Sequence, residues 1–202
     1  DESYVISKDC KLTGGFAFYT WFTGDNEGDF VLTLGGYHPH FQLDNHPNYP
    51  QVDRLAINWR VNSHMKIKGD AYFALTPNCL MAGGGLSATW KKGDLKAWFD
   101  VDADFLLVWK PFHYEIDVHI RVGVSYKLHL VLTTQTITVH VGVDLSMWGP
   151  PFGGKAHVDL SIFSFTISFG SSKSSPGALD WSDFKTSFLP EANQNAKLKA
   201  NH

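Results

Sequence analysis

Nowhere in this chain do apolar residues run on for the ~20 positions that a membrane-crossing helix requires. Basic residues are in slight minority, 17 Lys and Arg against 20 Asp and Glu, with a formal net charge of -3. That balance gives no general attraction to nucleic acid. Cysteine is scarce. Cys10 and Cys79 occupy no CxxC or Cys/His metal spacing, so they are either one disulfide or two buried thiols. No GxSxG, HExxH or nucleophile–base arrangement occurs. Gly83-Gly84-Gly85 lacks the Lys-Ser/Thr pair and the following helix of a phosphate loop. Asp1 is not an initiator Met and no signal-peptide pattern follows it, from which we expect a processed product, an excised domain or one part of a larger chain.

What the chain has in abundance is two-residue alternation. From Phe112 the even positions read Phe, Tyr, Ile, Val, Ile, Val, Val, Tyr, Leu and Leu to Leu130, and the odd positions between them are mostly charged or histidine. Successive side chains of a strand point to opposite faces, so this is one long strand with an apolar and a polar face. Leu95 to Trp109 repeats the pattern, as do Ile137 to Met147 and Ala156 to Phe169. In the last stretch the parity switches at Ile162–Phe163, which predicts a β-bulge or a sharp bend. Earlier strands are expected over 4–7, 16–22, 30–34, 55–61, 65–73 and 86–90. The proline- and histidine-rich stretch 37–53 reads as an irregular loop. Residues 1–170 therefore form a β-sheet domain. Residues 171–202 read as a flexible Ser-rich segment, a short helix over about 181–189 opened by Asp180 and Asp183, and a mobile tail.

Burial constrains strand register, because a one-residue slip exchanges the two faces. A two-residue loop at Lys110–Pro111 sets Phe105 opposite Ile116, Val101 opposite Ile120, Asp104 opposite Asp117, Asp102 opposite His119 and Asp100 opposite Arg121. A four-residue loop would instead bring Asp102 opposite Arg121. A turn over 133–136 would pair Tyr126 with Val143, His129 with His140 and Ser125 with Asp144.

The polar face then carries Asp100, Asp102, Asp104, Glu115, Asp117, His119, His129, His140, Asp144, His157 and Asp159. Oxygen and imidazole donors on one face suit a metal or a sugar. Asp102, Asp104, Asp117 and His119 are the candidate ligands of a divalent cation, because Asp104 opposite Asp117 is a like-charge pair that a cation would relieve. Trp148, Phe152, Asp144 and His157 are the candidate ligand-binding set, with the two aromatic rings as a sugar platform. His38, His40 and His46 form a second metal candidate. The alternative for the whole face is a solvated surface with cross-strand pairs worth ~0.2–1 kcal/mol each.

Four strings are distinctive: 28–41 (GDFVLTLGGYHPHF), 71–77 (AYFALTP), 103–112 (ADFLLVWKPF) and 148–154 (WGPPFGG). Together they resemble a family of unknown function, the domain numbered 6603, a module of large bacterial and fungal proteins. The resemblance runs from about Cys10 to near Leu189. It implies no activity. It implies that the chain is the end portion of a larger polypeptide. Cys79 stands where a small residue is expected in the family, which argues against a family-wide disulfide.

The expected fold is all-β: a long-stranded, mostly antiparallel meander of roughly nine strands, closing as a barrel or folding over, with one short C-terminal helix. The expected function is a non-catalytic binding or assembly module whose apolar concavity holds a lipid-like ligand or a neighbouring module. A membrane-active, pore-forming type of β-protein is the alternative, since the strands exceed the ~9–11 residues a span needs. Catalysis, or a metal or sugar site on the Asp/His face, is the third reading.

Overall fold

The computed structural model describes residues 8–173. They form one eleven-stranded antiparallel sheet. The strands are β1 (Cys10–Thr13), β2 (Phe16–Thr20), β3 (Phe30–Leu34), β4 (Leu55–Arg60), β5 (Met65–Leu75), β6 (Cys79–Lys92), β7 (Leu95–Trp109), β8 (Phe112–His129), β9 (Thr134–Gly149), β10 (Gly153–Leu160) and β11 (Phe163–Gly170). From β5 onward each strand pairs with the next in sequence. β5 is the junction of the sheet. One of its edges runs along β6, while the other is shared, Lys66–Ala71 with β4 and Phe73–Leu75 with β3. The expected strand at 4–7 and helix near 181–189 lie outside the described residues.

The sheet is open. β1 and β11 are its two ends and do not pair with each other, so the expected barrel closure does not occur. Local expectations are also sharpened or changed. The parity switch at Ile162–Phe163 is not a bulge but the sharp bend of a two-residue hairpin, with Leu160 paired to Phe163. The β8–β9 turn lies at 130–133, three residues earlier than expected, with reciprocal backbone hydrogen bonds between Leu130 and Thr133. Tyr126 consequently faces Ile137 and not Val143, and His129 faces Thr134 and not His140. The slide is even, so every residue keeps its face. The β7–β8 register is the one that a two-residue loop requires, with Val101 opposite Ile120 and Asp104 opposite Asp117.

Following the registers across the sheet sorts all eleven strands into two faces. The first holds the apolar sets of every strand. Among the described strand residues its only charged one is Lys92, and the only other polar ones are Thr20 and Gln135. This face is substantially exposed: Val122, Val124, Ile137 and Val139 are 42–57% accessible. The compact buried cluster lies on the opposite, polar face, at the end of the sheet nearest β3. It comprises Tyr72, Ala74, Cys79, Met81 and Leu106, covered by Tyr37 and Phe41 from the loop after β3. Cys10 is buried on the apolar face and Cys79 on the polar one, and both thiols are free.

The loop leaves β3 at Gly35 and Gly36, both with positive φ. A side chain at Gly35 would collide with the Ala71 carbonyl and the Leu55 amide, so glycine alone fits. The triple glycine, expected to precede a strand, lies inside β6. Gly83 sits directly between Tyr72 and Asp104, which lets the Tyr72 hydroxyl donate to Asp104 Oδ1 at 2.6 Å. A Cβ at Gly83 would come within 2.6 Å of both the Tyr72 ring and the Ala103 carbonyl. Gly83→Ala should therefore destabilise the chain by about 1–3 kcal/mol in urea unfolding. Gly142→Ala, with no neighbouring atom nearer than 3.6 Å, should change stability by less than about 0.5 kcal/mol. Equal effects of the two substitutions would refute this account of β6.

Candidate functional site

The loop between β3 and β4 is pinned by its own aromatic stack. Tyr37 stacks on Phe41, Phe41 on His46, and His46 on Tyr49, with centroids 4.8–5.2 Å apart. Tyr49 donates to Asp29, and Arg54 donates to the carbonyls of Gly35 and Tyr37 while lying 4.0 Å over the Tyr72 ring. Burial raises the Tyr37 hydroxyl pKa to about 12 and drives those of Tyr49 and Tyr72 further up, so all three remain neutral donors. The stack holds His38 and His40 against the polar face of β5 to β8.

His38 is 3% exposed. Its Nδ1 accepts the His40 amide at 3.0 Å. Burial lowers its pKa, opposed by Asp104, Asp117 and Glu115, so the ring is neutral and its proton sits on Nε2. Among the described residues that nitrogen has no hydrogen-bond partner. A buried donor left unpaired costs about 1–3 kcal/mol.

His40, more exposed, places Nδ1 3.3 Å from Glu115 Oε2. Lys173, just beyond β11, reaches the other oxygen of Glu115 at 2.8 Å. Burial pushes the Glu115 pKa up, but Lys173 and His40 together outweigh it and hold the carboxylate ionised. Two positions along β8, on the same face, Asp117 Oδ1 accepts the Ser146 hydroxyl at 2.6 Å. The cross-strand pair Asp104 and Asp117 is thus served by two hydroxyls, from Tyr72 and Ser146. His40, Glu115 and Asp117 present ligand atoms within 4.8 Å of one another.

The residues singled out from sequence separate into several groups. Asp102 and His119 are opposite each other, as are Asp104 and Asp117. His119, however, turns to Asp144 at 2.7 Å, and Arg121 joins that carboxylate at 2.9 Å. Asp102 lines a cavity of about 880 Å³ that extends toward Lys11, Arg60 and Lys68. Asp144 lies opposite His157, but His157 bonds Thr166. The expected sugar platform is not formed. The Trp148 indole donates to the Ser171 carbonyl from the polar face, whereas Phe152 meets Phe169 of the apolar face. His46 is held in the aromatic stack; it lines a cavity with His40 but is not one of the groups that converge with Glu115 and Asp117. The proximity of His40 to Glu115, 75 residues apart, had no signal in the sequence beyond the presence of both groups in suspect segments.

The described residues thus form an all-β structure: an open antiparallel sheet with one apolar face that they leave largely exposed, and a His/carboxylate cluster beside the 36–53 loop on the other. The chain belongs to a family of unknown function, DUF6603, whose family model matches residues 1–202. No curated protein and no solved structure matches it.

The His119–Asp144–Arg121 cluster has a pH signature. The hydrogen bond from His119 is the largest effect on Asp144, and with Arg121 it lowers the carboxylate's pKa against the opposing effect of burial. A depressed folded-state pKa stabilises the fold above the unfolded value of ~3.9 and loses that contribution as pH falls through the folded value. Asp144→Asn should therefore lower the melting temperature above about pH 5, with the deficit shrinking below about pH 4. A deficit that stayed undiminished at about pH 3 would contradict the assignment.

Proposed function

We propose that this chain is a non-catalytic binding or assembly module that works through its apolar sheet face. The occupant is a second apolar protein surface, a neighbouring module of a larger polypeptide. One observation carries the reading. An apolar face interrupted by a single charge extends over eleven strands and stands largely uncovered. Soluble monomers rarely leave more than a few hundred Å² of contiguous apolar surface in water. Sheets bury such faces by packing against one another about 10 Å apart.

A small lipid-like ligand is a poorer fit. The cavities of about 880 and 580 Å³ lie on the polar face, lined by groups such as Lys66, Lys68, Ser87 and Arg60. Membrane association is the second reading. Strands of 15, 18 and 16 residues in β7, β8 and β9 carry no charge on the apolar side, and each exceeds the ~9–11 residues of a spanning strand.

The test uses the full chain in sedimentation velocity and with vesicles of phosphatidylcholine and phosphatidylglycerol. The wild type should self-associate as concentration rises, using the face that would otherwise meet its neighbour. Val139→Asp should abolish this while leaving the circular dichroism and melting temperature close to wild type, because Val139 is 57% exposed. A monomer at all concentrations would overturn the assembly reading. Dye release from the vesicles, lost in Val139→Asp, would favour the membrane instead.

A further inference from the structure

The cluster on the opposite face has chemistry that assembly through the apolar face does not use. We propose that His40, Glu115 and Asp117 form a divalent transition-metal site of the zinc or manganese class. Three observations support it. The ligand atoms lie within 4.8 Å of one another, and His40 Nδ1 is 3.3 Å from Glu115 Oε2. That separation equals the ~3.3 Å between two ligands of a tetrahedral zinc held at ~2.0 Å. The donor set is one imidazole and two carboxylates, which suits zinc, manganese or iron(II) better than calcium, whose sites take six to eight oxygens.

The surroundings are those of a supported metal site. Ser146 holds one oxygen of Asp117 at 2.6 Å, orienting the carboxylate. Lys173 takes Oε1 of Glu115, which leaves the ligand role to Oε2, the oxygen that faces His40. Glu115 and Asp117 are two residues apart on β8 and so share a face by the pleat. His40 is delivered to them by the pinned loop.

The independent observation is His38. It is buried, and its Nε2–H has no partner among the described residues. Its ring lies beside that of His40, with centroids 5.1 Å apart. With Nδ1 accepting the His40 amide, His38 is a donor and not a ligand. It would donate to a water bound at the metal's fourth position. Three protein ligands with an open position are the pattern of a site that binds or activates a small molecule, whereas structural zinc takes four protein ligands.

The experiment is calorimetric titration of the chelator-stripped full chain with zinc, manganese and calcium chlorides at neutral pH, supported by the absorption spectrum of the cobalt-loaded protein. Zinc should bind one to one, and calcium should bind at least tenfold more weakly. His40→Ala and Asp117→Asn should each weaken zinc at least tenfold and remove the cobalt bands, whereas His157→Ala, whose ring bonds Thr166 across β10 and β11, should retain them. His40 is a surface residue, with 60% of its side chain exposed, so its replacement tests the site without threatening the fold. Circular dichroism verifies this for both variants. Binding of neither zinc nor manganese by the wild type, or affinity unchanged in His40→Ala, would overturn the proposal.

Discussion

Parity of strand register is the constraint on which the rest of this molecule depends. Every pairing from β1 to β11 keeps each strand's apolar set on one side, and a single odd slip anywhere would drive the following strands' charges through to the apolar face. The constraint acts on parity and not on absolute register. The β8–β9 hairpin illustrates it: closing the turn at 130–133 instead of 133–136 changes every partner but no residue's face. Turn geometry decides among the even registers, at a cost that the alternation of side chains does not sense.

The separation of the faces explains where the buried core sits. The charged rows of β7 and β8 occupy the middle and far parts of the polar face, but its near end carries Tyr72, Ala74, Met81 and Leu106. A loop can cover an area of that size, and the 36–53 loop does so with its own stacked rings. The apolar face extends over all eleven strands, an area that no loop among the described residues covers. The same covering loop carries His38 and His40 to the edge of the acidic rows. The core and the candidate metal cluster are therefore two consequences of one docking event. Arg54 and Gly35 act on both, because they set the path of the chain into and out of that loop.

The candidate site was only partly legible from sequence. Asp104 and Asp117 were legible as opposite each other in one of the two registers that the alternation allowed, the one with a two-residue loop, and the structure adopts it. Their environment was not legible. The hydroxyls that serve them come from Tyr72 and Ser146, on strands outside that hairpin, and no periodicity links either to its acceptor. His119 looked like a partner for Asp102 across β7, yet it bonds Asp144 across β9, since side chains at one register position can turn to either neighbouring strand. Trp148 and Phe152, four residues apart, read as one platform, but the turn between them sends their rings to different faces.

By itself the sequence determined the strand class, the division of residues between two faces and the family, because each rests on local alternation or on short contiguous strings, and it narrowed the β7–β8 pairing to two registers of one parity. Tertiary structure alone decided that the sheet stays open, that the buried core lies on the polar side, and that His40 meets Glu115 across 75 residues. Those outcomes depend on how the loop between β3 and β4 packs and on whether β1 and β11 come together. Both are long-range contacts, and the alternation of neighbouring side chains places no condition on them.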